Sequence, residues 1–169
     1  MNILITGPES SGKTILSKQL SHQFNVPFIE EYARTYLEIN GPQYKYADLL
    51  RIAKGHKKQT KAKSSLHAKH LIFDTYLLNI KIWSQVKFGN CHQWILEELE
   101  KVKWDCVLLL KPTIKWEPGP FRESQHTRNC LFNIFEKELQ SLEQAYYIID
   151  KIDELRYFQA KSICRRYLR

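Results

Sequence analysis

The chain is predicted to fold as a three-layer α/β structure, a five-stranded parallel sheet with helices on both faces. Three observations predict it. Strand-like and helix-like segments alternate from one end to the other, which implies right-handed crossovers between parallel strands. Runs such as Asn2-Ile3-Leu4-Ile5-Thr6 and Cys106-Val107-Leu108-Leu109-Leu110 lack polar alternation, as strands buried on both faces do. No internal repeat, low-complexity tract or linker interrupts the pattern, so a single domain over residues 1–169 is expected.

Taken in order, Asn2–Thr6 reads as the first strand and Lys13 to about Phe24 as a helix, with Leu16, Leu20 and Phe24 at helical spacing. Val26–Glu30 is a second short strand. Glu31–Ile39 is a short helix that ends before Asn40-Gly41-Pro42, a strong stop signal. Tyr46 to about His67 is helical, and His70–Asp74 forms the third strand. Tyr76–Phe88 is an amphipathic helix closed by Gly89, and Gln93–Lys103 is another. Asp105–Lys111 is the fourth strand and the most continuously apolar. Residues 112–125 are irregular and hold three of the six prolines, and a lid is expected over about 112–127. Thr127–Leu142 returns to helix, Tyr146–Ile149 is the fifth strand, and Ile152–Tyr167 is the last helix.

Hydrophobic residues make up 43% of the chain and charged residues 26%, a globular balance. No apolar run is long enough to cross a bilayer. Cys91, Cys106, Cys130 and Cys164 are scattered, which points to reduced thiols rather than a disulfide framework. Met1 stands almost on the first strand, leaving no room for a targeting segment, and a cytoplasmic protein is expected. The net charge of +8 attracts polyanions, a description that fits nucleic acids and phosphorylated small molecules alike.

Between the first strand and the first helix lies Gly7-Pro8-Glu9-Ser10-Ser11-Gly12-Lys13-Thr14, a complete G-x-x-x-x-G-K-[S/T] in its required context. Glycines let the backbone curl so that successive N–H groups face phosphate oxygens, and the helix N-terminus adds partial positive charge. Lys13 is placed to reach the β- and γ-phosphates of ATP, and the Thr14 hydroxyl to ligate magnesium. This is a P-loop, and the fold is expected to be the P-loop NTPase fold.

Asp74 closes the third strand at the edge where such sheets bind ligands, so it is a candidate magnesium ligand; the alternative is an N-cap for the helix that follows. Glu31 and Arg34 follow the second strand three residues apart and can share one side of a helical turn. There they either address a substrate hydroxyl and ribose or form an exposed pair. Arg122 and Arg128 flank the irregular stretch, either as lid arginines that neutralise a transferred phosphoryl group or as plain surface arginines. Lys54–Lys63 is the most basic segment. It has no interleaved aromatics to stack bases, which favours a solvated helix face over nucleic-acid binding. A lone His56 reads as structural or as a pocket residue.

Together the stretches GPESSGKT, EYAR at 31–34, YADLLRIAKGHKKQ at 46–59, LIFDT at 71–75, VLLLKPTIKW at 107–116 and FRESQHTR at 121–128 resemble the ribosylnicotinamide kinase domain of the NadR-type proteins. The resemblance implies ATP-dependent phosphorylation of the 5′-hydroxyl of nicotinamide riboside, with a sheet of strand order 2-3-1-4-5. It implies ATP on Gly7–Thr14, magnesium on Thr14 and Asp74, and Lys13, Glu31, Asp74, Arg122 and Arg128 as the catalytic set. The nucleoside site expected on this basis comprises Glu31, Tyr32, Arg34, Asp48, His56 and Trp116. Two positions depart from the family pattern. Glu30 stands where an aromatic residue often precedes the Glu-Tyr pair, and Glu117-Pro118-Gly119-Pro120 replaces an acidic lid stretch. Two other function classes fit parts of the sequence: a nucleotide-dependent ATPase or sensor module, which would need a water-activating residue, and a nucleic-acid end kinase, suggested by the net charge.

Overall fold

The computed structural model describes residues 1–64, 69–118 and 126–168. Its elements run β1 (Asn2–Thr6), α1 (Lys13–Phe24), β2 (Phe28–Ile29), α2 (Tyr32–Asn40), α3 (Tyr46–Ser64), β3 (Leu71–Asp74), α4 (Leu77–Phe88), α5 (Gln93–Glu100), β4 (Cys106–Leu110), α6 (Arg128–Ser141), β5 (Tyr147–Ile149) and α7 (Asp153–Cys164). The five strands form one sheet in the order β2-β3-β1-β4-β5, and all four pairings are parallel. The expected fold and strand order are borne out.

Why the strands read as unbroken apolar runs is visible in the register. β1 is central, with Leu4 opposite Phe73 on one side and Val107 on the other, and Ile5 opposite Asp74 and Leu108. Successive side chains point to opposite faces, and both faces are covered. Leu4, Phe73, Val107 and Leu109 enter a core shared with α3, α4, α5 and α6. Ile3, Ile5, Ile72, Cys106, Leu108 and Leu110 enter a second core under α1 and α7. Alternation is real, but it runs between two oils rather than between oil and water.

Most element boundaries moved by one to three residues, and two of the shifts have a visible cause. β2 holds only Phe28–Ile29, shorter than the expected Val26–Glu30. It is an edge strand, and Pro27 has no N–H to donate, although its carbonyl accepts from the Ile72 amide at 3.1 Å. The fifth helix stops at Glu100, short of Lys103, because Trp104 is drawn into the core. The Gln144 carboxamide satisfies both backbone groups of Trp104, accepting from its N–H and donating to its carbonyl at 3.2 Å each.

Trp104 belongs to an aromatic cluster under the end of β3. Phe73, Tyr76 and Trp104 meet edge to face, with centroids 4.8, 5.3 and 5.6 Å apart, a favoured geometry that adds to area burial. Two members of this cluster, Phe73 and Tyr76, bracket Asp74 in the chain, so the packing fixes where that carboxylate sits. Among the described residues no helix is long and apolar enough to cross a membrane.

Trp104→Ala should therefore lower the unfolding free energy by about 3–5 kcal/mol, read as a reduced urea midpoint with an unchanged slope. A loss below about 1 kcal/mol would show that the cluster does not anchor this end of the sheet.

Candidate active site

The loop after β1 adopts the phosphate-cradling conformation that its glycines permit. Gly7 and Gly12 lie at φ 134° and 81°, and Ser10 between them at φ 51°. A Cβ at Gly7 would come within 2.6 Å of the Leu110 carbonyl oxygen, so that position excludes any side chain. Lys13 Nζ donates to the Pro8 carbonyl at 2.7 Å, and Ser11 Oγ donates to the same carbonyl at 2.8 Å. Asn79 of α4 steadies the entry, accepting from Thr6 Oγ1 at 2.7 Å and donating to the Gly7 carbonyl at 3.4 Å.

Asp74 lies beside this loop. The residue after it, Thr75, is held in the left-handed region at φ 68°, a strained state for a β-branched side chain. That kink turns the chain sharply from β3 towards α4 directly behind Asp74. The capping alternative does not describe the structure, since Tyr76 occupies the N-cap position of α4 and no side chain caps it. Asp74 is 1% exposed, and its Oδ1 has no hydrogen-bond partner among the described residues. Burial, followed by the nearby negative charge of Glu31, pushes its carboxyl up to about 6. A hydrogen bond from Thr14 and the charges of Lys13 and Arg34 oppose that rise.

Five expected site residues thus come together: Lys13, Thr14, Glu31, Arg34 and Asp74. Glu31 and Arg34 stand at the start of α2, which β2 delivers beside β3 at the ligand edge of the sheet. A buried, unpartnered carboxylate oxygen beside a threonine hydroxyl fits a hard divalent cation. Among the described residues no three His, Cys, Asp or Glu side chains cluster as a metal site, and a P-loop magnesium site requires none, because the phosphates supply ligands.

The start of the expected lid rests on the tip of the loop. Trp116 Nε1 donates to Glu9 Oε1 at 3.0 Å, and Ser10 Oγ donates to the Glu117 carbonyl at 3.4 Å. Arg128, the first residue of α6, donates from Nη1 to the Ser10 carbonyl at 3.2 Å and to the Ile114 carbonyl at 3.0 Å. Its Nε is buried without a partner among the described residues. Arg122 and residues 119–125 lie outside the described residues.

Other expected residues sit farther back. The Tyr32 ring lies against Gly55 of α3, where an added Cβ would collide with it. Both Asp48 oxygens are engaged: Tyr36 OH, the Lys45 amide and Arg51 donate at 2.8, 2.8 and 2.7 Å, bracing the α2–α3 corner. His56 is 1% exposed, edge-on to Tyr76 at 5.0 Å, with Nε2 unpartnered.

One residue escaped the sequence reading. Arg156 of α7 is 6% exposed. Its guanidinium donates to the carbonyls of Ser11, Lys151 (2.9 Å) and Lys111 (3.4 Å) and to Thr113 Oγ1 (2.7 Å). The signal was available in the helical period, because Arg156 shares the buried face of α7 with Ala160, Ile163 and Cys164.

Comparison with known proteins bears on the family and the fold. The family model described as AAA domain matches residues 2–154. The trifunctional NAD biosynthesis/regulator protein NadR of Escherichia coli K12 is 27% identical over 118 residues, 68% of this chain and 29% of that protein. NadR of Salmonella typhimurium LT2 is equally similar over the same span. The chain therefore spans under a third of the length of these curated relatives. Among solved structures, a NadR protein in complex with NR superposes with a TM-score of 0.79 at 21% identity, covering 99% of this chain and 51% of that one. A deoxyadenosine kinase from M. mycoides superposes with a TM-score of 0.69 at 18% identity, covering 98% and 100%. The resemblance to NadR drawn from the motifs is borne out, and both superpositions carry the fold.

His56 gives this region a pH dependence. Burial lowers its imidazole from 6.5 to about 4, so the folded protein holds it neutral. Its contribution is fully present above pH 6.5 and is lost as pH falls towards 4. His56→Leu should remove that loss: between pH 7 and pH 4 the variant should gain on the parent by up to about 3 kcal/mol, measured by urea unfolding at each pH. Parallel curves for the two proteins would refute a buried neutral imidazole.

Proposed function

This chain belongs to the AAA domain family, and on that premise we propose that it is an ATP-dependent kinase. It transfers the γ-phosphoryl group to the 5′-hydroxyl of a ribosyl nucleoside, with nicotinamide riboside the leading acceptor, and works in the cytoplasm on a small molecule. The convergence of Glu31, Arg34 and Asp74 beside Lys13 and Thr14 carries the reading. A bare nucleotide switch needs the phosphate loop and one carboxylate; the second carboxylate and the arginine on α2 provide for an acceptor. The likeness to the NAD biosynthesis/regulator protein NadR, and to a NadR protein solved in complex with NR, supports the choice of acceptor.

The loop amides and Lys13 hold the β- and γ-phosphates and spread the developing charge. Thr14 Oγ1 and Asp74 would hold a magnesium ion, which neutralises phosphate charge when bound. With Asp74 committed there, Glu31 is the carboxylate left to accept the proton of the attacking hydroxyl. The hydroxyl oxygen then bonds to the γ-phosphorus as the bond to the β–γ bridging oxygen breaks, and ADP departs. Arg34 orients the acceptor. Arg128, through its unpartnered Nε, and Arg122 bring positive charge over the phosphoryl group as the lid excludes water. Tyr32 and Trp116, both half-buried, offer flat surfaces to the nucleoside, while Asp48 and the fully buried His56 brace the α2–α3 corner behind Tyr32.

ADP release should appear with ATP, magnesium and nicotinamide riboside, matched by its mononucleotide product, and stay low with common ribo- and deoxynucleosides, an RNA oligomer or no acceptor. Equal release without an acceptor would overturn the kinase reading in favour of an ATPase module. Lys13→Ala and Asp74→Asn should each lower kcat by about a hundredfold or more. Glu31→Gln should lower kcat by a similar factor while the KM for ATP changes less than about threefold, because its partner is the acceptor.

A further inference from the structure

Arg156 lies against the carbonyl side of the Ser11–Gly12 peptide of the phosphate loop. Its surroundings are unusual for a buried cation. The hydrogen-bond acceptors given above are three peptide carbonyls and one hydroxyl, and among the described residues no carboxylate forms an ion pair with it. Asp153, on the same helix, acts on it only at a distance, and burial pulls the guanidinium below its ordinary value. A buried charge left without a counter-charge is expensive unless something of opposite sign arrives.

Two details say where that counter-charge belongs. Arg156 Nη1 donates to the Ser11 carbonyl, which shares a peptide plane with the Gly12 amide. In a trans peptide the C=O and N–H point in opposite directions, so a carbonyl drawn back towards Arg156 aims the Gly12 N–H into the loop. A Cβ at Gly12 would also lie 2.9 Å from Nη1, which puts the guanidinium immediately under the loop's second glycine. That glycine also sits at φ 81°, a left-handed conformation that side chains rarely adopt.

We infer that Arg156 is a positioning residue for the nucleotide's phosphates: it holds the Ser11–Gly12 peptide in its anion-facing orientation and adds a fixed positive charge behind the loop. It also ties that peptide to Lys111 and Thr113, the exit of β4 towards the lid, and to Lys151, the turn into α7. Loop, lid root and α7 therefore share one rigid cation. The inference rests on the nucleotide-binding reading of the loop and deepens it.

The test measures binding of inorganic tripolyphosphate by calorimetry to the full chain and to Arg156→Gln and Arg156→Lys, with circular dichroism to establish folding. The parent should bind. The Gln variant, which keeps donors but loses the charge, should bind at least roughly tenfold more weakly, and the Lys variant, which keeps the charge but loses the fork, should lie between them. In turnover the KM for ATP should rise with the same order while the KM for the acceptor stays within about twofold. A folded Gln variant that binds tripolyphosphate within about twofold of the parent would overturn the inference and leave the kinase reading standing. Failure of both variants to fold would assign Arg156 to the fold alone, which also overturns it. A parent that binds no tripolyphosphate would overturn the nucleotide reading and this one with it.

Discussion

A loop that binds phosphate must leave its amides unpaired and pointing inward, and the rest of this structure is arranged around that constraint. An unpaired backbone donor in a compact turn is unfavourable until the ligand comes, so the peptide planes have to be held in place by their carbonyl sides. Here four carbonyls of the loop are held by side chains, most of them from other elements. Asn79 of α4 takes that of Gly7, Lys13 and Ser11 take that of Pro8, Arg128 of α6 takes that of Ser10, and Arg156 of α7 takes that of Ser11. Elements from both sides of the sheet thus brace a few residues of backbone, which is why a short motif needs a whole domain to work.

The second organising feature is charge placed against its own preference. Asp74 ends a strand with four buried residues, beside Glu31 and next to the strained Thr75. Burial and the Glu31 charge drive the carboxyl up to about 6, which disfavours its ionised form relative to a carboxylate in water. The aromatic cluster beneath β3 supplies the rigidity that stops Asp74 from turning towards water instead.

Sequence legibility follows the same division. Strand order, helix positions and the phosphate loop could be read because each rests on a local signal: apolar runs, 3.6-residue spacing, or a contiguous motif. The acceptor side could be read only as candidates, because Glu31, Arg34 and Asp74 belong to two segments forty residues apart that meet through strand pairing. Asp48 shows the limit in the other direction. Its residue type suited a ligand contact, and only the folded chain shows both oxygens spoken for by Tyr36, Lys45 and Arg51. The brevity of β2 was hidden because edge strands are set by pairing geometry and a proline, not by apolar content. Arg156 was legible in principle: a charged residue in phase with Ala160, Ile163 and Cys164 on an otherwise apolar face is a buried polar group asking for partners.

The basic stretch of α3 bears on how the net charge of +8 should be understood. Lys57 pairs with Glu98 of α5, and both Lys57 and Lys54 lie over the Trp94 ring at 5.6 Å. Lys63 reaches back to the Phe28 carbonyl at 2.9 Å and lies over that ring. These three cations fasten α3 to α5 and to the edge strand. On the phosphate loop, Lys13, Arg128 and Arg156 converge from three different helices. A protein built to bind nucleic acid spreads its cations along a surface; here these three hold carbonyls of the loop between β1 and α1. Where the positive charge is concentrated, more than how much of it there is, favours a small phosphorylated ligand.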